Sequence, residues 1–399
     1  MPTALDDATR AIIRATVPAL DAHGLAIMTE MYRRLLTTPE IRDLFNQSHQ
    51  KDGEQPRALA LAVLAYARNI DRLDALGGMV ERIAEKHVGL NILPEHYPFV
   101  ADALLGAIGH VLGEAATPAI LEAWGKAYWF LADILTGREA QIYRAHETAP
   151  GGWRGWRPFV VRKRTAETPV ITSFELTPQD GGPIARHKAG QYLSFNLNLP
   201  EHGPQRRNYS ISSAPGADHY RITVRRAPGG VVSQWLHDSI QEGATLLVSN
   251  PAGDFTLPDS PSGSSVFLTA GVGSTPVISM LQELATRPTA KIHYVHAAHS
   301  AADDLFVEDI RRGAAEGALT ADLFYTHAAA PPSKGVTARE GRITADWLRA
   351  TVERDATYYV CGPEGFMRDM TRTLREIGLP PAQICYEFFG SATDVELVL

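Results

Sequence analysis

The chain has 399 residues, of which 45% are hydrophobic and 21% are charged, and its formal net charge is −7 at pH 7. This length exceeds one ordinary domain, so two or three globular domains are expected, and the negative charge argues against binding to nucleic acid. Only two cysteines occur, Cys361 and Cys385. They exclude a disulfide framework and a cysteine-ligated iron–sulfur cluster, and they fit a reducing compartment.

The N-terminal sequence contains Asp6 and Asp7 and has no apolar run of the signal-peptide type. The longest apolar stretch, residues 58–67, is half of the about 20 residues that a membrane span needs. A cytoplasmic protein without a transmembrane segment is therefore expected.

Residues 1–147 have the pattern of an all-α domain. Thr38-Pro39 and Thr117-Pro118 each place a capping residue before a proline, as at a helix start. Apolar residues then recur at helical spacing at Ile120, Leu121, Trp124, Tyr128, Leu131 and Leu135. A turn-rich linker at residues 148–156, which contains two tryptophans, ends this domain.

Two further domains are predicted after the linker. Residues 157–260 contain short alternating strands at 171–176, 192–195 and 220–224, with one helix at 233–240, which indicates an antiparallel β-barrel. In residues 261–399, buried-type strands at 266–269, 292–295 and 358–360 alternate with helices. That alternation predicts an α/β domain with a parallel, doubly wound sheet.

Short motifs suited to a dinucleotide and a flavin occur in both domains. Arg207 can pair bidentately with a phosphate, and a Gly-Gly turn before a helix suits an anion. The complete set comprises Gln191-Tyr192, Arg207-Asn208-Tyr209-Ser210, Gly229-Gly230-Val231-Val232-Ser233, Gly271-Val272-Gly273-Ser274-Thr275-Pro276, Cys361-Gly362-Pro363 and Tyr386-Glu387-Phe388-Phe389-Gly390. In this order, the motifs resemble the flavin reductase module of the ferredoxin–NADP reductase family.

That resemblance implies one FAD and a nicotinamide dinucleotide donor, NADH or NADPH. It places Tyr209 against the isoalloxazine, with Ser210 at the ring edge, and assigns the motif that begins at Gly271 to the dinucleotide. Cys361 would pack near the nicotinamide rather than act as a nucleophile. Glu387 and Phe389 would lie by the reactive flavin edge, where the family usually has a cysteine at the position of Phe388.

His87 is the candidate metal ligand of the helical domain. It continues an apolar helix face formed by Val80, Ile83 and Ala84. Taken alone, such a histidine is more often a hydrogen-bonded core residue than a ligand. A reductase needs an electron acceptor, however, and one inward histidine in a helical domain is how a globin holds haem iron. Because the chain lacks Cys-x-x-Cys-His, the haem would be non-covalent haem b.

The helical domain resembles a globin in more than His87. Leu44-Phe45-Asn46 resembles the corner where a phenylalanine packs on haem, Tyr32 and Gln55 match polar positions on the ligand side, and Leu59 would crowd the same pocket. Lys86 precedes the histidine, and Tyr97 and Glu139 match a network around it. The alternative for Tyr97 and Glu139 is a satisfied pair that ties two helices together.

The whole chain resembles a flavohaemoglobin, which implies a nitric oxide dioxygenase that converts nitric oxide and dioxygen to nitrate with NAD(P)H. In such a protein, Tyr32 and Gln55 would donate hydrogen bonds to dioxygen. The protein would be a monomer. The haem pocket would also admit a hydrophobic or lipid ligand. Three alternatives stay open: an oxygen or nitric oxide sensor, a reductase of organic acceptors or peroxides, and a reductase that serves a separate protein through a degenerate globin.

Overall fold

The structure, a computed structural model, describes residues 4–44, 54–72, 77–258, 263–287, 290–327, 331 and 333–389. The chain divides into two compact units. Of the described residues, the first unit contains those up to Trp156 together with Ser194–Arg207, and the second contains Arg157–Leu193 and residues 208–389.

Six α-helices make up the described N-terminal residues, as the pattern there predicts. They are α1 Asp7–Leu35, α2 Pro39–Arg42, α3 Glu54–Arg68, α4 Gly77–Gly89, α5 Tyr97–Leu112 and α6 Pro118–Thr148. Asp6 caps α1 through a 2.6 Å bond from Thr9 N, and Thr117 caps α6 by accepting from Ile120 N.

Helix α1 has the length and the hydropathy, 1.2 over an 18-residue window, of a membrane span. Its packing is that of a core helix, since Ile13, Leu20 and Ile27 are buried in the hydrophobic core of the helical unit. Trp124 of α6 joins the same core and donates from Nε1 to Thr16 Oγ1 of α1. Length and composition alone do not distinguish a membrane-spanning helix from the core helix of a globular domain.

The predicted antiparallel sheet follows. Its elements are β1 Arg157–Thr168, β2 Ile171–Pro178, β3 Tyr192–Leu199, β4 Gly203–Ser210, β5 Tyr220–Arg225, α7 Val231–Ser239 and β6 Thr245–Val248. The strand order is β4-β3-β6-β1-β2-β5. An isolated bridge between Ile211, directly after β4, and Ile222 of β5 brings the two ends of this order together, as a barrel requires. Helix α7 begins two residues before the predicted start at Ser233.

The last part forms the predicted parallel, doubly wound sheet. Its elements are β7 Ser264–Ala270, α8 Ser274–Leu284, β8 Lys291–Ala298, α9 Val307–Ala315, β9 Thr320–Tyr325, β10 Val336–Glu340, α10 Ala345–Thr351, β11 Thr357–Cys361, α11 Glu364–Glu376 and β12 Ile384–Glu387. The order β10-β9-β8-β7-β11-β12 reverses direction between β7 and β11. Such a switch point is where open α/β sheets bind ligands, beyond the carboxyl ends of the strands.

Candidate functional site

His87, Tyr97 and Glu139 form one hydrogen-bonded group in the helical unit. His87 Nδ1 lies 2.7 Å from Glu139 Oε1 and 3.1 Å from Tyr97 OH, and Tyr97 OH donates to Glu139 Oε1 at 2.5 Å. Because a carboxylate only accepts, the hydrogen of the neutral imidazole lies on Nδ1. The lone pair is therefore on Nε2, the nitrogen that remains for a metal.

Local structure holds each member of this group in place. His87 lies in the last turn of α4, Tyr97 begins α5, and Glu139 lies in α6. Tyr128 OH donates to Tyr97 O at 2.7 Å, which fixes the start of α5 against α6. Arg138 makes two 2.6 Å bonds to the Glu81 carboxylate, which join α6 to α4. The fork-like pairing restrains the helix pair that carries His87 and Glu139.

Two members of the group, Tyr97 and Glu139, are buried. Glu139 is 2% exposed, and its Oε2 has no hydrogen-bond partner among the described residues. Burial, followed by the charge of Glu139, raises the pKa of Tyr97, so the phenol keeps its proton and donates. A histidine whose Nδ1–H is held by a buried carboxylate has the arrangement of a metal-ligating imidazole.

The donor set fits haem better than a metal held by side chains alone. The described ranges contain no group of three or more His, Cys, Asp and Glu side chains that would hold a metal ion. A metal at His87 therefore needs most of its ligands from outside the protein, as a porphyrin provides. The His87 side chain is 31% exposed, so part of the imidazole ring is accessible.

The side chains predicted for the opposite face of haem are described in part. Tyr32 packs against the helical core together with Leu59, and burial raises the pKa of Tyr32 to about 12. Its phenol is thus a neutral donor over the physiological pH range. Gln55 lies in the first turn of α3, but its side chain and all of Phe45 lie outside the described residues. Lys86 is half-buried in the last turn of α4.

Two predicted flavin segments are joined by a hydrogen bond between Gln191 and Ile211, both of which belong to the second unit. Ile211 N donates to Gln191 O at 2.9 Å, which joins the residue after the Arg207–Ser210 motif to the residue before β3. The motif forms the end of β4, where Arg207 and Tyr209 are half-buried, Asn208 is exposed and Ser210 is buried. Since strand side chains alternate, Arg207 and Tyr209 share one face, and Asn208 and Ser210 share the other. Tyr192 is buried against Gly253.

The Gly229-Gly230 turn leads into α7 as predicted, with Gly229 at a φ of 69°. Ser233 Oγ accepts from Ala227 N at 3.1 Å and lies 3.2 Å from Gly230 O, so this hydroxyl stabilises the turn. Val231 and Val232 start the helix, and their N–H groups are among those that a helix leaves unpaired for an anion.

The two dinucleotide motifs meet at the switch point. Gly271–Gly273 follows β7, and a Cβ at Gly273 would lie 2.1 Å from Cys361 O, at the end of β11. Only glycine permits this approach of the two chains. Ser274 and Thr275 donate to Gly271 O and Val272 O at 3.1 and 2.8 Å, and Pro276 is buried in the first turn of α8. The start of such a helix leaves backbone N–H groups that suit an anion such as a pyrophosphate.

The third segment at this edge is the end of β12. Glu387 pairs in register with Cys361 of β11. Cys361 is fully buried, which raises its pKa well above the usual range and leaves an unreactive thiol. Phe388 packs beside the core under β11, Phe389 is 47% exposed, and Gly390 lies outside the described residues. The exposed aromatic and the carboxylate are thus at the ligand-binding edge of the sheet.

The close approach at Gly273 gives a direct prediction. Gly273→Ala must displace Cys361 main chain, and a displacement of about 1 Å costs roughly hundredfold in a positioned reaction. We expect flavin reduction by NADH or NADPH to slow by that order, with FAD retained, as followed by stopped-flow absorbance. Gly365→Ala is the matched control, since an added Cβ there meets no atom within 4 Å. Equal reduction rates in both variants would contradict a dinucleotide site at Gly273.

Comparison with known proteins gives the same three parts. Family models described as globin, oxidoreductase FAD-binding domain and oxidoreductase NAD-binding domain match residues 29–135, 160–257 and 267–372. A flavohemoprotein of Xylella fastidiosa strain Temecula1 is 47% identical over 385 residues, which cover 96% of each chain. The chain belongs to the flavohemoprotein family. It is therefore an oxidoreductase in which NAD(P)H supplies electrons through FAD to a haem globin.

Solved structures support this membership. The flavohemoglobin of Malassezia yamatoensis with bound FAD and haem has a TM-score of 0.86 and 29% identity, and covers 97% of this chain and 100% of its own. The flavohem-like FAD/NAD-binding domain of nitric oxide dioxygenase from Vibrio cholerae has a TM-score of 0.53 and 31% identity. It covers 59% of this chain and 100% of its own.

The sequence did not predict the contacts of four residues, Tyr128, Arg138, Glu81 and Arg206. Tyr128 was recognised as a core residue, but its hydroxyl also holds the start of α5. The Arg138–Glu81 pair was not foreseen, since its members are 57 residues apart. Arg206 directly precedes Arg207, the arginine predicted to pair with a phosphate, and strand alternation is the signal that separates the two arginines.

Proposed function

We propose that the protein is a nitric oxide dioxygenase, which converts nitric oxide and dioxygen to nitrate with electrons from NADH or NADPH. The observation that carries the proposal is the His87–Tyr97–Glu139 group, because a buried carboxylate on the proximal imidazole suits oxygen activation more than reversible oxygen storage. When bound, haem supplies the iron at which dioxygen reacts, and FAD divides the hydride pair into single electrons.

On the proximal side, Glu139 draws the Nδ1 hydrogen of His87 and makes the imidazole a stronger donor through Nε2. Tyr97 shares the same carboxylate oxygen and limits its rotation. Because Arg138 and Glu81 hold α6 to α4, the imidazole plane is also fixed. These contacts would favour electron donation from the His87 imidazole toward a ligand bound on the Tyr32 side.

On the other side, Tyr32 is proposed to donate a hydrogen bond to dioxygen, with Gln55 as a second donor. Burial keeps Tyr32 protonated, with a pKa of about 12, so the hydroxyl has a hydrogen to give. A donor aimed at developing negative charge in a water-poor pocket contributes strongly to catalysis. Leu59, which packs on the same core, would narrow the space beside it.

Electron entry is assigned to the switch point of the parallel sheet. The dinucleotide would lie across Gly271–Gly273 and Cys361-Gly362-Pro363, with Glu387 and Phe389 beside the hydride-accepting flavin edge. The similarity to the domain from Vibrio cholerae, at 31% identity, supports the same reductase role and nitric oxide as a substrate. Monomeric state, cytoplasmic location, the domain limits given above and a lipid ligand stay predictions.

Tyr32→Phe tests the proposal on the oxygen side. Loss of a hydrogen bond to a charged acceptor costs about 1.5–3 kcal/mol, which corresponds to roughly tenfold to hundredfold faster oxygen dissociation. Stopped-flow measurement should show faster oxygen dissociation in Tyr32→Phe, and an electrode should show a lower rate of nitric oxide consumption. If the protein were a sensor, Tyr32→Phe would lower its oxygen affinity, but neither the variant nor the unmodified protein would consume nitric oxide continuously.

Tyr66→Phe is the matched control for Tyr32→Phe. Tyr66 is also a buried tyrosine of the helical core, and its hydroxyl donates to Ala127 O at 2.9 Å. Its removal should lower stability by about 1 kcal/mol and leave oxygen dissociation unchanged. Tyr32→Phe rates equal to those of the unmodified protein would reject the role of Tyr32.

A further inference from the structure

Arg206 has buried N–H groups that no carboxylate of the described residues satisfies. Its Nε and Nη1 are buried and have no hydrogen-bond partner among the described residues. The guanidinium carbon lies 4.3 Å from the centre of the Trp156 ring, and burial lowers the pKa of Arg206 to about 10. A buried charge without a partner is strongly destabilising, so an anion is expected to complete this site.

Strand geometry separates Arg206 from the flavin motif. The two arginines are consecutive in β4, so their side chains point to opposite faces. If Arg207 is the flavin-side arginine, Arg206 cannot serve the same phosphate. Arg206 stacks instead on Trp156, which belongs to the same compact unit as the helices.

The charged surroundings of Arg206 come from the helical residues around His87. Asp43, directly after α2, is the acidic group that favours the charged form of Arg206, but no described ion pair joins the two side chains within 4 Å. His96 lies within electrostatic range of both Arg206 and His87, and its Nδ1 accepts from Leu93 N. Arg206 therefore belongs to the neighbourhood of the proximal histidine.

We propose that Arg206 binds a propionate carboxylate of the haem and so anchors and orients it on the His87 side. The planar guanidinium matches a carboxylate and is fixed by its stack on Trp156. The negative charges of haem are on its two propionates. A haem bound at His87 would therefore supply an anionic group near Arg206. This proposal rests on haem binding at His87 and is independent of the nitric oxide chemistry.

The test compares haem with its dimethyl ester, which lacks the propionate charges. Apoprotein prepared from the full chain is titrated with each porphyrin by Soret absorbance, for the unmodified protein and for Arg206→Met. We expect Arg206→Met to weaken binding of haem by roughly tenfold to hundredfold and to leave binding of the ester unchanged. The haem reduction potential should also fall, since a nearby positive charge that favours the reduced state is removed.

Arg154→Met is the matched control, because Arg154 also lies over an aromatic ring, that of Tyr143, but lies 3.8 Å from the Glu147 carboxylate. It should change neither affinity. If Arg206→Met does not fold, Arg206→Gln carries the same comparison. Equal losses for haem and ester would mean that Arg206 only packs on Trp156, and no loss for haem would mean that it does not reach a propionate. Either result would overturn the proposal, while the nitric oxide activity of the unmodified protein would stand or fall separately.

Discussion

Replacing His87 with alanine is expected to abolish haem retention or to leave a grossly altered spectrum. His87 combines a helical position, a buried carboxylate at Nδ1 and a side chain that is 31% exposed. Alanine removes the ligand and leaves Glu139 and Tyr97 as a buried pair. The measurement is the haem content and the Soret band of the purified protein, read beside the flavin absorbance, which should be unchanged.

His110→Ala is the control for His87→Ala, since His110 is an exposed histidine near the end of α5 in the same helical unit. It should leave both absorbance bands intact. A His87→Ala protein with normal haem content and an unchanged Soret band would show that iron is held by a different residue. The His87–Tyr97–Glu139 group would then be a structural link between helices, which is the alternative that the sequence left open.

Electron entry and oxygen chemistry are expected to be separable in fragments. The dinucleotide motifs and Gln191 lie after β1 begins at Arg157, whereas His87, Tyr97 and Glu139 precede the end of α6. A fragment beginning near Arg157 should bind FAD and reduce ferricyanide with NADH or NADPH, but it should consume no nitric oxide. The helical fragment should bind haem and oxygen and stall after one turnover, because it has no source of electrons.

Folding of the reductase fragment has to be established first, because Ser194–Arg207 groups with the helical residues rather than with the rest of the barrel. The FAD/NAD-binding domain from Vibrio cholerae, which is similar over 59% of this chain, supports independent folding. Circular dichroism and flavin content serve as the checks. Sustained nitric oxide consumption by the folded reductase fragment alone would show that haem is not needed for the activity.

Much of the fold followed from local pattern. The buried strand before Gly271 and the turn after it predicted the first β–α unit of the parallel sheet, and β7 and α8 have that arrangement. Ends of elements were less well predicted, as at α7, because valines at 231 and 232 fit a strand or a helix equally. Local pattern determines the kind of element more strongly than its first residue.

The site could be predicted only where residue types fit a family pattern. His87, Tyr97 and Glu139 were proposed from such a pattern, but their shared hydrogen bonds join residues 10, 42 and 52 positions apart. No local pattern contains that information, since it depends on how α4, α5 and α6 pack. The same holds for the contact of Arg206 with Trp156, because three strands, β1 to β3, separate the two residues along the chain.

The most direct test of the proposed activity is the stoichiometry of nitric oxide consumption by the full protein under oxygen. Each nitrate formed from nitric oxide and dioxygen takes one electron, so about two nitrates should appear for each NADH or NADPH oxidised. Nitric oxide, the nicotinamide and nitrate are followed together by electrode, absorbance and ion chromatography. Sustained consumption at that ratio is the predicted result. Oxidation of NADH and NADPH without nitrate, or nitric oxide binding that stops after one equivalent of haem, would contradict it.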